Sequence, residues 1–307
     1  MITGSAAIGA NWFLEGVSAL QKQQLQTERQ ISSGFRVQDA ADSPSQTTEL
    51  VGLVAQLSAN QSWQSNLGRV QAEAGSADTA LSAGISLIES ARTLALQGGD
   101  STATSADRQN VANQVQSIQE QLVSLANTTT EGRYIFGGDQ DHASPYQFDS
   151  TAPAGVDKLT SQTATRAIVD PSGQTVYQSG TAADIFDHRD AGGNPLPDNA
   201  FAALQNLRTA LVNNDPTGIS GALTSLEGVS TWLNQQQASY GVSAARLAAA
   251  QTTVSANITN IQTQISGIRD TNIVQAATDL AQETTAQTAA FSAQAEIPRK
   301  SLFDYLG

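Results

Sequence analysis

Apolar residues recur along this chain at alternating intervals of three and four, the spacing that brings side chains onto one side of an α-helix. Val111, Val115, Ile118, Leu122 and Leu125 make one such stripe. Leu247, Val254, Ile258, Ile261, Ile265 and Ile268 make a second, with Gln251 as a polar interruption. A third covers about residues 46–98, where Leu50, Leu53 and Leu57 are followed by Leu67, Val70, Ala74, Ala77, Leu81 and Ile88. Gly98 and Gly99 end that helix, because glycine accepts the left-handed backbone of a helix C-terminus. Thr104 or Ser105 then caps the next helix, with the Asp107 carboxylate beside its positive N-terminus. Two antiparallel helices joined by a short loop are therefore predicted. Toward the ends of the chain the stripes thin to Leu14, Val17, Leu20 and Ile31 on one side, and Ile273, Ala277, Leu280 and Phe291 on the other. Neither buries much area alone, so each needs a partner helix.

Between the helical stretches the pattern changes. Proline removes a backbone donor and clashes inside a helix; residues 45–144 and 217–297 contain none, whereas Pro145, Pro153, Pro171, Pro195 and Pro197 fall in the centre. Residues 137–199 hold nine Asp and no Glu, a preference that suits turns over helix interiors. Within them TRAIVDPSGQTVYQS reads as two short strands around Asp170-Pro171-Ser172-Gly173. The predicted fold class is mainly α, a long antiparallel helical bundle or coiled coil with a small β-containing domain inserted in its middle.

Composition narrows what such a fold does. Of 307 residues 39% are hydrophobic but 5% aromatic and 14% charged, which points to a core of small aliphatic side chains. A net charge of -13 without a basic patch argues against nucleic acid, whose phosphates call for clustered Lys and Arg. Cysteine is absent, so disulfides and thiolate metal sites are excluded. No stretch approaches the roughly 18 apolar residues of a membrane span, and the opening MITGSAAIGANWFLEG lacks the plan of a secretory signal peptide.

Candidate chemistry is sparse. Asp184, Asp187, His188 and Asp190 gather carboxylates around a histidine, but four polar residues in a loop are more simply a solvated turn, and His142 stands apart. Gly137-Gly138 reads as a turn leaving the packed Tyr134-Ile135-Phe136, and Trp12, Trp63 and Trp232 as packing anchors. HExxH, P-loop and GxSxG patterns do not occur. No catalytic, cofactor or metal residue is assigned.

Three segments carry a resemblance. ERQISSGFRVQDAADSPSQTTEL, through Ser32, Ser33, Gly34, Arg36, Asp42 and Pro44, resembles the stretch between the first two long helices of the flagellin family. Gly34 fits a helix stop there, and Pro44 the first turn of a new helix after an Asp42-Ser43 cap. NTTTEGRYIFGGDQDHASPY at 127–146 and SLFDYL at 301–306 look like the members of that family found at the junction of hook and filament, whereas QAEIPRKS at 294–301 is nearer to filament subunits.

The resemblance implies that the N- and C-terminal helices pair and that the centre projects. Numbered onto this chain, 1–42 with 270–307 would form a terminal assembly domain, 43–136 with 200–269 a helical core, and 137–199 an outer domain. It implies a self-assembling structural role in a helical lattice of copies, contacting a neighbouring hook-associated protein and flagellin, with export through the flagellar channel aided by a chaperone. The expected assembly interface is Leu14, Val17, Leu20, Ile31, Arg36, Ile273, Leu280, Phe291, Leu302, Phe303 and Leu306. Arg92 lies where the family presents a surface to neighbouring subunits or to an innate immune receptor. A filament flagellin and a coiled-coil scaffold or signalling protein are the alternatives.

Overall fold

The computed structural model describes residues 3–39, 42–162, 165, 167–169, 173 and 175–296, with backbone alone for 3–10 and 296. Its long helices are α1 (Thr3–Ser33), α2 (Pro44–Gly99), α3 (Ser105–Ala126), α6 (Pro216–Arg269) and α7 (Ile273–Glu296), with the shorter α4 (Ala182–Phe186) and α5 (Ala200–Val212) between. The chain divides into two compact units, residues 1–61 with 256–307 and residues 62–255. The mainly α class read from the periodicity holds, and the third predicted helix runs only a few residues beyond its expected limits.

In the unit of residues 62–255 local signals set the helix ends. Thr104 caps α3 through its side chain, which accepts the Asp107 N–H at 3.2 Å, while the Asp107 carboxylate accepts the Thr104 N–H at 3.0 Å. This reciprocal box satisfies two backbone donors that the first helical turn leaves bare. Gly98 does more than end α2: a Cβ there would run into the Leu211 side chain, so the glycine lets α5 approach. Two helices follow residue 199, separated at Asn213–Asp215. Asn214 adopts a φ of 52°, and Pro216 opens α6 where its missing N–H costs nothing.

Among the described residues six strands form three separate antiparallel pairs: β1 (Thr129–Thr130) with β2 (Arg133–Tyr134), β3 (Tyr146–Phe148) with β4 (Val156–Lys158), and β5 (Ala167–Val169) with β6 (Thr175–Gln178). Positive φ at both Glu131 and Gly132 makes the first turn one of the tight hairpin types. The third pair is the hairpin expected around Asp170-Pro171-Ser172; those three turn residues lie outside the described residues.

The core of this unit departs from the aliphatic expectation. Leu81, Ile88 and Leu122 are buried as predicted for helical stripes, Leu204 and Leu207 of α5 join them, and around these sit Phe136, Tyr146, Phe186 and Phe201. Phe136 meets Phe186 edge-on at 5.6 Å, and Tyr146 packs on Phe201 at 5.1 Å. Aromatics are few along the chain but concentrated here, where each buries a large area.

Candidate assembly interface

In the other compact unit α1 lies antiparallel to α7, since Gly34 accepts the Thr271 N–H at 2.9 Å while Phe13 meets Phe291 at 6.2 Å. Their shared seam follows a heptad: Phe13, Val17, Leu20, Gln24, Thr27 and Ile31 on α1 are buried or half-buried, and Ala276, Leu280, Glu283 and Gln287 on α7. That spacing of four and three keeps one narrow line of side chains on the partner. The line is only partly apolar. Thr27 donates its hydroxyl hydrogen to Glu283 Oε1 at 3.1 Å, and Glu283, 7% exposed, has its second oxygen buried without a hydrogen-bond partner.

The helix breaks beyond this pair are laced together. Gly34 ends α1 with a φ of 76°, which glycine adopts without strain. Phe35 then bridges Asp270, and the Arg36 N–H donates to the Arg269 carbonyl at 2.6 Å. Arg36 also donates from its guanidinium to the Ile268 carbonyl at 2.9 Å. The Arg269 guanidinium lies 4.3 Å over the Phe35 ring, a cation–π contact. Hydrogen bonds from Ser266 and then Arg269 hold the Asp270 carboxyl below its usual range. Asn272 caps α7 by accepting the Val274 N–H at 3.1 Å. Asp42 caps no helix: its carboxylate accepts the N–H groups of Asp39 and Gln38 at 3.0 Å, folding the loop back and lowering its own pKa. Behind the breaks Leu53, Ile261 and Ile265 form a small core with Leu50, Leu57 and Ile268.

The residues expected at the assembly surface fall into three groups. Val17 is buried, and Leu20, Ile31 and Leu280 are half-buried, in the seam. Leu14, Ile273 and Phe291 are exposed, at 62%, 56% and 50%, as is Arg36 in the elbow. Leu302, Phe303 and Leu306 lie outside the described residues. Leu25 and Val274, which the sequence did not single out, are exposed as well, and so is Trp12, which at 75% exposure is not the packing anchor expected of it within this chain. Arg92, in the unit of residues 62–255, pairs with Glu89 at 2.7 Å and with Glu227 on α6 at 3.1 Å.

The polar loop of that unit is a solvated turn only in part: Asp184 and Asp190 are exposed, but Asp187 and His188 are drawn into the fold. Asp187 is buried and accepts hydrogen bonds from Tyr146 Oη at 3.0 Å, Arg189 Nε at 2.9 Å and Asn199 Nδ2 at 2.7 Å. Burial, and next the Asp187 charge, push the Tyr146 phenol far above its ordinary pKa. His188 Nδ1 meets Asp198 at 3.0 Å and its ring stacks on Trp232 at 4.7 Å, while Trp232 Nε1 donates to the Ile185 carbonyl. Each polar member faces another residue of the fold, so the cluster fastens the loop before α5 to α6.

The two ends of the chain thus fold on each other as a two-helix arm, with apolar side chains left uncovered on it. Residues 7–141 match the model of the bacterial flagellin N-terminal helical region and residues 223–306 that of the C-terminal helical region. The chain belongs to the bacterial flagellin family. It is 29% identical over 218 residues to flagellar hook-associated protein 3 of Salmonella typhimurium, covering 70% of this chain and 65% of that protein. To flagellar hook-associated protein 3 of Escherichia coli it is 26% identical over 204 residues, covering 64% and 63%. The match thus spans just under two thirds of these curated relatives. A solved structure of a Vibrio parahaemolyticus protein assigned to the flagellar hook-associated proteins shares the fold, with a TM-score of 0.64 at 18% identity over 75% of this chain and all of that one.

Proposed function

We propose that this chain is a structural subunit of the bacterial flagellum that forms the layer joining a hook-associated protein to the flagellin filament. The observation that carries it is the arm: Trp12, Leu14, Leu25, Ile273, Val274 and Phe291 leave apolar area on a two-helix unit that a neighbouring copy can bury. The position at the junction is supported by the two relatives, both hook-associated protein 3. Copies associate head to tail, so the contact propagates into a helical lattice. Residues 1–42 with 270–307 serve as the assembly part, 43–136 with 200–269 as the helical core, and 137–199 as the outward part. The arms gain order on docking, which suits export through the flagellar channel with a chaperone on the C-terminal arm. Arg92 faces a neighbouring subunit. The role is mechanical, with no reaction assigned.

Immunogold labelling of isolated flagella tests the position. A band at the hook end is expected, and continuous decoration of the filament would refute the junction reading in favour of a filament subunit. Deletion of the gene is expected to leave hooks that secrete flagellin; normal filaments in that strain would remove the structural role altogether.

A further inference from the structure

The heptad seam fixes which way the other side chains of the arm face. Both helices are right-handed and they run antiparallel, so a residue one place after a seam position lies about 100° round its helix, on the same side of the pair in α1 as in α7. Residues one place before the seam lie on the opposite side. The first flank carries Leu14, Leu25 and Phe291, which follow Phe13, Gln24 and the half-buried Ala290. Phe13 meets Phe291 across the seam, so Leu14 and Phe291 stand side by side as an apolar ridge. The second flank carries Trp12, Gly16 and Ala19, which precede Phe13, Val17 and Leu20, with Ala286 and Ala289 level with them on α7.

Two features of the second flank have no use inside the chain. Trp12 is exposed. Gly16 lies within α1, where glycine costs about 0.5–1 kcal/mol relative to alanine, yet a Cβ added there would meet no atom within 4 Å. Nothing in the chain's own packing needs the missing side chain, so the backbone is left open to close approach from outside. Trp12 as a wall and Gly16 as a floor make a notch, and Leu14 of the ridge lies at a height between them on the other flank. Charge is kept away from both. From residue 12 to 25 of α1 and 280 to 293 of α7 the charged residues are Glu15 and Lys22, two places from the seam and facing away from α7, and Glu283, closed into the seam. Copies of a chain with a net charge of -13 repel one another, and uncharged flanks are where they can meet.

We propose that the Leu14–Phe291 ridge of one copy seats in the Trp12–Gly16 notch of a second copy. The inference rests on the assembly reading above and names the two surfaces that meet. Ridge and notch lie on opposite flanks of one arm, so the contact is heterologous and repeats along a row instead of closing a pair. The uncharged stretch is about 20 Å long and two helices, or about 20 Å, wide, so each contact buries about 800 Å² in total. That is below the roughly 1,200 Å² of a stable complex. A copy is therefore held firmly only when both of its flanks are covered, as they are inside a row.

The chain has no cysteine, so an L14C/A19C variant reports the contact directly. The two positions are about 7.5 Å apart in height on one helix and face opposite flanks, beyond the span of a disulfide within one chain. Flagella assembled from this full-length variant and mildly oxidised are expected to give a ladder of disulfide-linked copies on a non-reducing gel. Incorporated variant without the ladder would overturn the proposal, as would linked pairs from L14C alone, which mean ridge against ridge. Where the double variant does not incorporate, Gly16 decides. Alanine and leucine both favour helix over glycine, so G16A and G16L keep the fold of the single chain, as helix content will show. G16L fills the notch and is expected to lower incorporation about tenfold, and G16A less; incorporation of G16L equal to that of the unaltered chain would overturn the contact. Failure of the unaltered chain to enter any flagellar assembly would instead refute the proposed function.

Discussion

Asp187→Ala is the substitution whose cost follows most directly from the structure. Three donors converge on this carboxylate, and two of them, Tyr146 Oη and Asn199 Nδ2, belong to side chains 1% and 0% exposed. Removing the acceptor strands the Tyr146 hydroxyl in the interior and leaves Asn199 Nδ2 only its bond to the His188 carbonyl at 3.1 Å; a buried donor left unsatisfied costs about 1–3 kcal/mol. Arg189 is 37% exposed at its side chain and regains water, so its lost pair adds about 1 kcal/mol or less. The expected destabilisation is about 3–5 kcal/mol, a large share of the 5–15 kcal/mol typical of a folded domain. Asn199 also caps α5 by accepting the Ala202 N–H at 2.9 Å, so the loss spreads into the start of that helix. Urea unfolding followed by tryptophan fluorescence measures it in a Trp12→Phe background, because Trp63 and Trp232 both lie in the unit of residues 62–255. Tyr146→Phe, which removes one donor and leaves the carboxylate two others, is expected to cost about 1 kcal/mol, and the double variant less than the sum. A loss under about 1 kcal/mol for Asp187→Ala would show that the loop is solvated and that the buried network does not fasten it.

Further outcomes follow from single positions. Gly34→Val forces a branched side chain to a φ of 76°, which costs about 1–2 kcal/mol; hydrogen exchange should show reduced protection of the Thr271 N–H that bonds the Gly34 carbonyl. Thr104→Ala removes the α3 cap and is expected to cost about 1 kcal/mol. The hydrogen bonds from the Thr104 side chain and backbone hold the Asp107 carboxyl below its ordinary value, so their stabilisation is complete above the unfolded pKa of about 3.9. It is lost as pH falls through the lower folded value, and the difference between Thr104→Ala and the unaltered chain should shrink below about pH 4 in denaturant melts. Arg92→Ala breaks two ion pairs with exposed partners and should change thermal stability by under about 1 kcal/mol. A larger loss in the isolated chain would give Arg92 a role in the fold of one subunit.

The long helices are legible in the sequence because the signals that specify them are local. Apolar residues from Leu50 to Ile88 repeat within a few positions of one another, and helix formation tests just that range, so the limits of α2 and α3 and the Thr104 cap can be read directly from the chain. The hairpin of β5 and β6 is legible from its turn residues for the same reason. Burial of polar groups is not. Asp187 reads as one of several carboxylates in a loop until Tyr146, 41 residues away, and Asn199 close over it. The aromatic core is hidden likewise, because Phe136, Phe186 and Phe201 come together from three separate segments.

The arms divide along the same line. Their thin heptad stripes and the Gly34 stop are set by sequence alone, as are the residue types available for contact. That the seam encloses Thr27 and Glu283, 256 positions apart, is decided by pairing of the two chain ends. Whether a carboxylate is solvated or bare depends on what lies across from it, and that distance along the chain exceeds any periodic signal. Sequence determined which faces need covering; tertiary structure decided which apolar residues stay open on the arm and that the Glu283 carboxylate is closed into its seam.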